Sequence, residues 1–136
     1  MASNPKHDED DTTGRFAYEG LDRVLHEKAR LGIMTSLITK ADGLLFGELK
    51  DLCALTDGNL SRHIDVLSDA GMVRVWKGYE GRRPQTLVQI TADGRKHFLA
   101  YLAELERVLK DVQLRDTAEG TNKQARLPPG FVPVEE

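Results

Sequence analysis

The chain has 136 residues, 40% of them hydrophobic and 30% charged, which suits one globular domain with room for a sizeable core. A net charge of -3 excludes a generally basic nucleic-acid coat, so any contact with DNA has to come from a local patch. The single cysteine, Cys53, excludes an internal disulfide. The apolar stretches are short and broken by charge, so the expectation is a cytoplasmic protein without a membrane partner.

Residues 1–15 include the acidic run Asp8, Glu9, Asp10 and Asp11 and few apolar side chains, too few to offset the entropy of ordering. A flexible tail is expected there, followed by a domain over residues 16–112 and a second flexible tail over 113–136. From residue 16 to 38, Tyr18, Leu21, Val24, Leu25, Leu31, Ile33, Met34, Leu37 and Ile38 follow helical spacing, as one broken helix or two short ones. Ala41, Asp42 and Gly43 make a turn. Leu44, Leu45 and Phe46 suit a short strand, and residues 47–54 a helix with Leu49, Leu52 and Cys53 facing inward.

The next stretch, residues 55–71, has a helix start, a working face and a stop. Thr56 can accept a first-turn backbone N–H, Asp57 suits the positive end of the helix dipole, and Gly71 can take the left-handed conformation that ends a helix. Leu60, Ile64 and Leu67 share a buried stripe, while Gly58, Asn59, Ser61, Arg62 and Asp65 fall on the other side. That small, polar face is either an ordinary solvated surface or one that approaches base edges closely. The tight link to the preceding helix makes a helix-turn-helix unit.

After Gly71 the period changes to that of a β-hairpin. Met72, Val73, Val75 and Trp76 form one strand and residues 86–90 the other, around a turn-rich loop over residues 77–84. Arg74, Lys77, Arg82 and Arg83 make the hairpin basic, and residues 56–97 carry seven basic against five acidic side chains, the largest positive excess in the chain. Thr91, Ala92 and Asp93 start a last helix, expected to reach about Val112. Its Phe98, Leu102, Leu105, Leu109 and Val112 are spaced 4, 3, 4, 3, a seam that packs on its own domain or on a partner subunit.

The fold expected is α+β, mostly α: a winged helix-turn-helix with a hairpin wing and a long C-terminal helix. The chain resembles the small one-domain winged-helix transcriptional regulators related to the MarR and ArsR types. The resemblance rests on residues 21–31, on Leu55 through His63, on Gly81-Arg82-Arg83-Pro84 and on Thr91 through Arg95. It implies a homodimer bound to double-stranded DNA, with the helix after Thr56 in the major groove and the wing on the backbone or minor groove. The expected DNA contacts are Thr56, Asp57, Gly58, Asn59, Ser61, Arg62, Lys77, Arg82 and Arg83. The expected dimer contacts are Leu21, Leu25, Phe98, Leu102, Leu105, Leu109 and Val112.

ArsR-type metal sensors hold a pair of cysteines where this chain has only Cys53, and MarR-type proteins are usually longer around a ligand pocket. Neither a metal nor a small-molecule effector is therefore indicated. His7, His26, His63 and His97 lack the close spacing of a metal site and suit packing or surface roles, and Cys53 suits a core position better than an oxidant sensor. There is no phosphate-binding glycine loop and no hydrolase or metalloprotease motif, so neither an enzyme nor a cofactor is expected. The competing possibility is a winged helix that binds protein or RNA.

Overall fold

A computed structural model describes residues 13–118 and 127–134. Helix α1 (Lys28–Ile38) starts where the Glu27 carboxylate accepts the Arg30 backbone N–H at 3.0 Å, and it buries Ile33, Met34 and Leu37. Strand β1 (Leu44–Leu45) runs directly into α2 (Phe46–Cys53), and Ala54, Leu55 and Thr56 connect α2 to α3 (Asp57–Asp69). The hairpin of β2 (Val73–Glu80) and β3 (Arg83–Ile90) follows, and α4 (Ala92–Ala118) comes last.

The turn between α2 and α3 is tight because Ala54 adopts a left-handed φ of 54°, which brings the Leu55 N–H to the Lys50 carbonyl at 3.1 Å. A residue with a Cβ costs about 1 kcal/mol in that conformation. Helix α3 ends on the same motif without that cost. Gly71 takes the left-handed position at φ 78°, and the Met72 N–H bonds to the Leu67 carbonyl at 2.9 Å.

The sheet is antiparallel in the order β1-β3-β2, with Leu44 opposite Val88 and Val73 opposite Ile90. Pro84 is tolerated in the central strand because β1 pairs only with Leu87 and Val88, which among the described residues leaves the outer end of β3 without a second neighbour. Leu60, Ile64 and Leu67 from α3 join Leu37, Leu49, Val88 and Phe98 in one buried cluster. Each such side chain stabilises the fold by about 1.5–3 kcal/mol relative to its exposed state.

Helix α4 is fixed to this core at its first turn. Thr91 caps it, accepting the Gly94 N–H at 2.8 Å while its hydroxyl donates to the Gly71 carbonyl at 2.7 Å. Gly94 lies so close to the Met72 carbonyl that a Cβ would collide with it. Among the described residues, no helix is long and apolar enough to cross a membrane.

Several expectations are corrected. Residues 16–27 form turns, not helix, because long-range bonds fasten them to α4: the Tyr18 hydroxyl donates to Asp111 at 2.7 Å, and the Gly20 N–H donates to Glu104 at 3.3 Å. Leu52 is 63% exposed, and Phe46 belongs to α2 instead of β1. The expected loop over residues 77–84 is mostly strand, with only Gly81 and Arg82 between the paired ends Glu80 and Arg83. Helix α4 runs past Val112 to Ala118.

Of the two expected tails, residues 1–12, 119–126 and 135–136 lie outside the described residues. Phe131 and Val132, in the described part of the C-terminal segment, are exposed.

Candidate nucleic-acid interface

Helix α3 presents opposite faces to the core and to solvent. Gly58, Ser61, Arg62 and Asp65 stand at i, i+3, i+4 and i+7 and are all exposed, as is the adjacent Asn59. The Arg62 guanidinium donates to the Asn59 side-chain oxygen at 3.1 Å, which directs it along the first turns of the helix. Among the described residues, no atom beyond the helix's own nearby backbone lies within 4 Å of a Cβ placed on Gly58, so a second surface can come close there.

Thr56 and Asp57 build the helix start. The Thr56 hydroxyl accepts the Asn59 N–H at 3.1 Å, and the Asp57 carboxylate pairs with Lys50 of α2 at 3.0 Å. Lys50 thereby offsets the negative charge at the opening of the exposed face, a role visible only once α2 and α3 are placed together.

The buried side of α3 includes a polar residue. His63 is 6% exposed, and its Nδ1 lies 3.2 Å from the Arg30 guanidinium and 3.9 Å from the Glu27 carboxylate. Burial pushes its pKa below the usual value; Glu27 offsets part of that effect, while Arg30 and Arg62 add to it. Arg30 also donates to the Val24 carbonyl at 2.7 Å, so α1 and the preceding turns hold the back of α3 together.

In the wing, Gly81 has a φ of 66°, as a two-residue hairpin connection allows at its first position. Arg82 and Arg83 are exposed at this tip, and Lys77 lies further down β2 with its ammonium 3.4 Å from the Thr86 hydroxyl. Arg74 does not join them. It lies near the base of the strand on the alternate face, with its guanidinium 5.7 Å from the centre of the Trp76 ring. The Trp76 indole donates to Gln89 at 2.7 Å, bracing the hairpin across its two strands.

A groove of about 430 Å³ joins helix and wing. Ser61, Asp65 and Ser68 of α3 form one wall, and Val75, Lys77 and Thr86 of the hairpin form the other. The exposed face of α3 and the wing therefore open on the same side of the domain.

The seam of apolar residues expected to dimerise divides into two parts. Leu25 and Phe98 are fully buried in the domain's own core, and Leu21 and Leu105 pack against it, so the interior of one subunit already uses them. Leu102 is at the edge of exposure, whereas Leu109 and Val112 are 54% and 58% exposed on the part of α4 that extends beyond the core. Cys53 is half-buried with its sulfur 3.8 Å from the Ser36 hydroxyl. Among the described residues, no group of three His, Cys, Asp or Glu side chains is arranged to hold a metal ion.

Comparison with known proteins adds a family to this geometry. The family described as "Winged helix DNA-binding domain" matches residues 29–109. An uncharacterized protein of Methanocaldococcus jannaschii is 35% identical over 68 residues, covering 50% of this chain and 74% of that protein. A transcriptional regulator homologue from Pyrococcus horikoshii OT3 is similar over 72% of this chain and 97% of its own, with 31% identity and a TM-score of 0.66. The fold is also that of S. aureus MepR in its DNA complex, at 13% identity and a TM-score of 0.56 over 79% of this chain and 90% of MepR. The match runs from α1 through the helix-turn-helix and the wing into α4, and on that ground the chain belongs to the winged helix DNA-binding domain family.

Proposed function

We propose that this protein is a sequence-specific, duplex-DNA-binding regulator of transcription that acts as a homodimer. Helix α3 enters the major groove and the wing lies on the flanking backbone or in the minor groove. The observation that carries this reading is the shared groove: Ser61 and Asp65 of α3 face the same space as Lys77 and Thr86 of the hairpin, so one duplex can meet both. Arg62, Asn59 and Ser61 would meet base edges, and Arg82 and Arg83 would meet phosphates. Two similar proteins support the same function: the transcriptional regulator homologue from Pyrococcus horikoshii OT3, and S. aureus MepR, whose structure is a complex with DNA.

The dimer is supported by the apolar stripe of α4, which continues through Leu109 and Val112 after the domain's own core has ended. Two-fold pairing through this stripe would cover these side chains and present two copies of α3 to one face of a duplex. Selection of bound sequences from random duplex DNA tests the proposal. A two-fold symmetric site with half-sites about 34 Å apart is expected. Failure to enrich any sequence would favour a winged helix that binds protein or RNA.

A further inference from the structure

Asp65 has no role in the contacts proposed so far, although it lies on the face that would make them. It is exposed, it follows Gly58, Ser61 and Arg62 at helical spacing, and it lines the groove opposite Lys77. Among the described residues, no hydrogen bond or ion pair reaches its carboxylate; Arg62, three residues earlier, bonds to Asn59 instead. An anionic group in a groove that receives a polyanion is repelled unless a donor meets it.

The major groove offers such donors only as exocyclic amines. Adenine's N6 amine lies between two acceptors that oppose a carboxylate, its own N7 and the paired thymine's O4, whereas cytosine's N4 amine has an acceptor on one side only, the paired guanine's O6. Three helical residues rise about 4.5 Å, little more than the roughly 3.4 Å step between base pairs. We propose that Asp65 is a specificity-determining residue that accepts a hydrogen bond from the N4 amine of a cytosine in each half-site, next to the base pair met by Arg62. This inference rests on the DNA-binding function proposed above.

The test is selection from random duplex DNA with the unmodified protein, Asp65→Ala and Asp65→Asn, followed by affinity measurements on one selected duplex. The unmodified protein should enrich cytosine at one half-site position by about tenfold over other bases. Asp65→Ala should lose that preference, keep the preferences elsewhere in the site, and bind unselected duplex more tightly at the same salt because one anionic group is gone. Asp65→Asn should move the preference to adenine, whose N6 and N7 an amide can match. Replacing the selected cytosine by pyrimidin-2-one, which lacks the amine, should weaken the unmodified protein and leave Asp65→Ala unaffected. Cytosine enrichment that persists in Asp65→Ala, or that is absent from the unmodified protein's otherwise specific site, would overturn the assignment while leaving the DNA-binding function intact. If the unmodified protein binds no duplex, both fail together.

Discussion

Arg30 Nη1 and His63 Nδ1 are 3.2 Å apart, and through this contact α1 holds the buried side of α3. A guanidinium only donates hydrogen bonds, so Nδ1 must accept and His63 must be neutral. Burial already holds its pKa below the usual 6.5, despite the nearby Glu27 carboxylate. The unfolded chain therefore takes up the proton first, and stability that is fully present above about pH 6.5 is lost as the pH falls through that value. Denaturation midpoints measured from pH 8 to pH 5 should decline, and His63→Gln should flatten the decline. An identical pH profile in both proteins would contradict this account of His63.

Two glycines should respond in opposite ways to substitution. Gly94→Ala pushes a Cβ into the Met72 carbonyl and should cost roughly 1–3 kcal/mol of stability, because the hairpin and α4 have to separate to admit it. Gly58 faces open space inside α3, so Gly58→Ala should gain about 0.5–1 kcal/mol, and Gly58→Glu should leave the fold intact while abolishing duplex binding. Thermal unfolding and fluorescence anisotropy separate these effects. A Gly58→Glu protein that still binds its duplex would place the interface elsewhere.

Arg62 and the wing arginines should fail differently. Arg62→Ala should cost roughly 1–3 kcal/mol on the selected site and relax preference at one position in each half-site. The Arg82→Ala, Arg83→Ala double variant should weaken binding to all duplexes and reduce the salt slope by about one unit per lost phosphate contact. If the slope does not change, the wing tip is simply a solvated loop.

The dimer should depend on the far end of α4. Leu109→Asp with Val112→Asp changes side chains outside the domain's own core, so the protein should remain folded but become monomeric and lose much of its operator affinity. Leu105→Asp, by contrast, should also destabilise the fold, because Leu105 packs against the core. Light scattering together with thermal unfolding distinguishes the two. A monomeric unmodified protein at tens of micromolar would remove the two-fold model.

The elements that were legible in the sequence are those whose boundaries are set locally. Thr56 and Gly71 bracket α3, and the spacing of Leu60, Ile64 and Leu67 gives its buried side, because caps and helical periodicity depend only on near neighbours. The segment before α1 has the helical spacing of Tyr18 and Leu21 but not a helix, because bonds from Tyr18 to Asp111 and from Gly20 to Glu104, far along the chain, fasten it to α4. The wing is longer than its sequence suggests, since Gly78 and Pro84 punctuate the sequence but pairing with Gln85 and Tyr79 keeps both in strands. Leu25 and Phe98 carry the same apolar signal as Leu109 and Val112, and only the assembled core separates the buried pair from the exposed one. The Arg62, Asn59 and Ser61 face was readable from periodicity alone, whereas the Lys50 and Asp57 pair required the fold of the helix-turn-helix.

The most direct test of the central claim is the affinity of the unmodified protein for its selected duplex as salt is raised, followed by fluorescence anisotropy. If α3 and two basic wings lie on DNA, the logarithm of the association constant should fall linearly with the logarithm of salt concentration, with a slope of magnitude about 4 or more. Affinity that stays flat across that range, or no measurable binding at low salt, would contradict a duplex-DNA-binding protein.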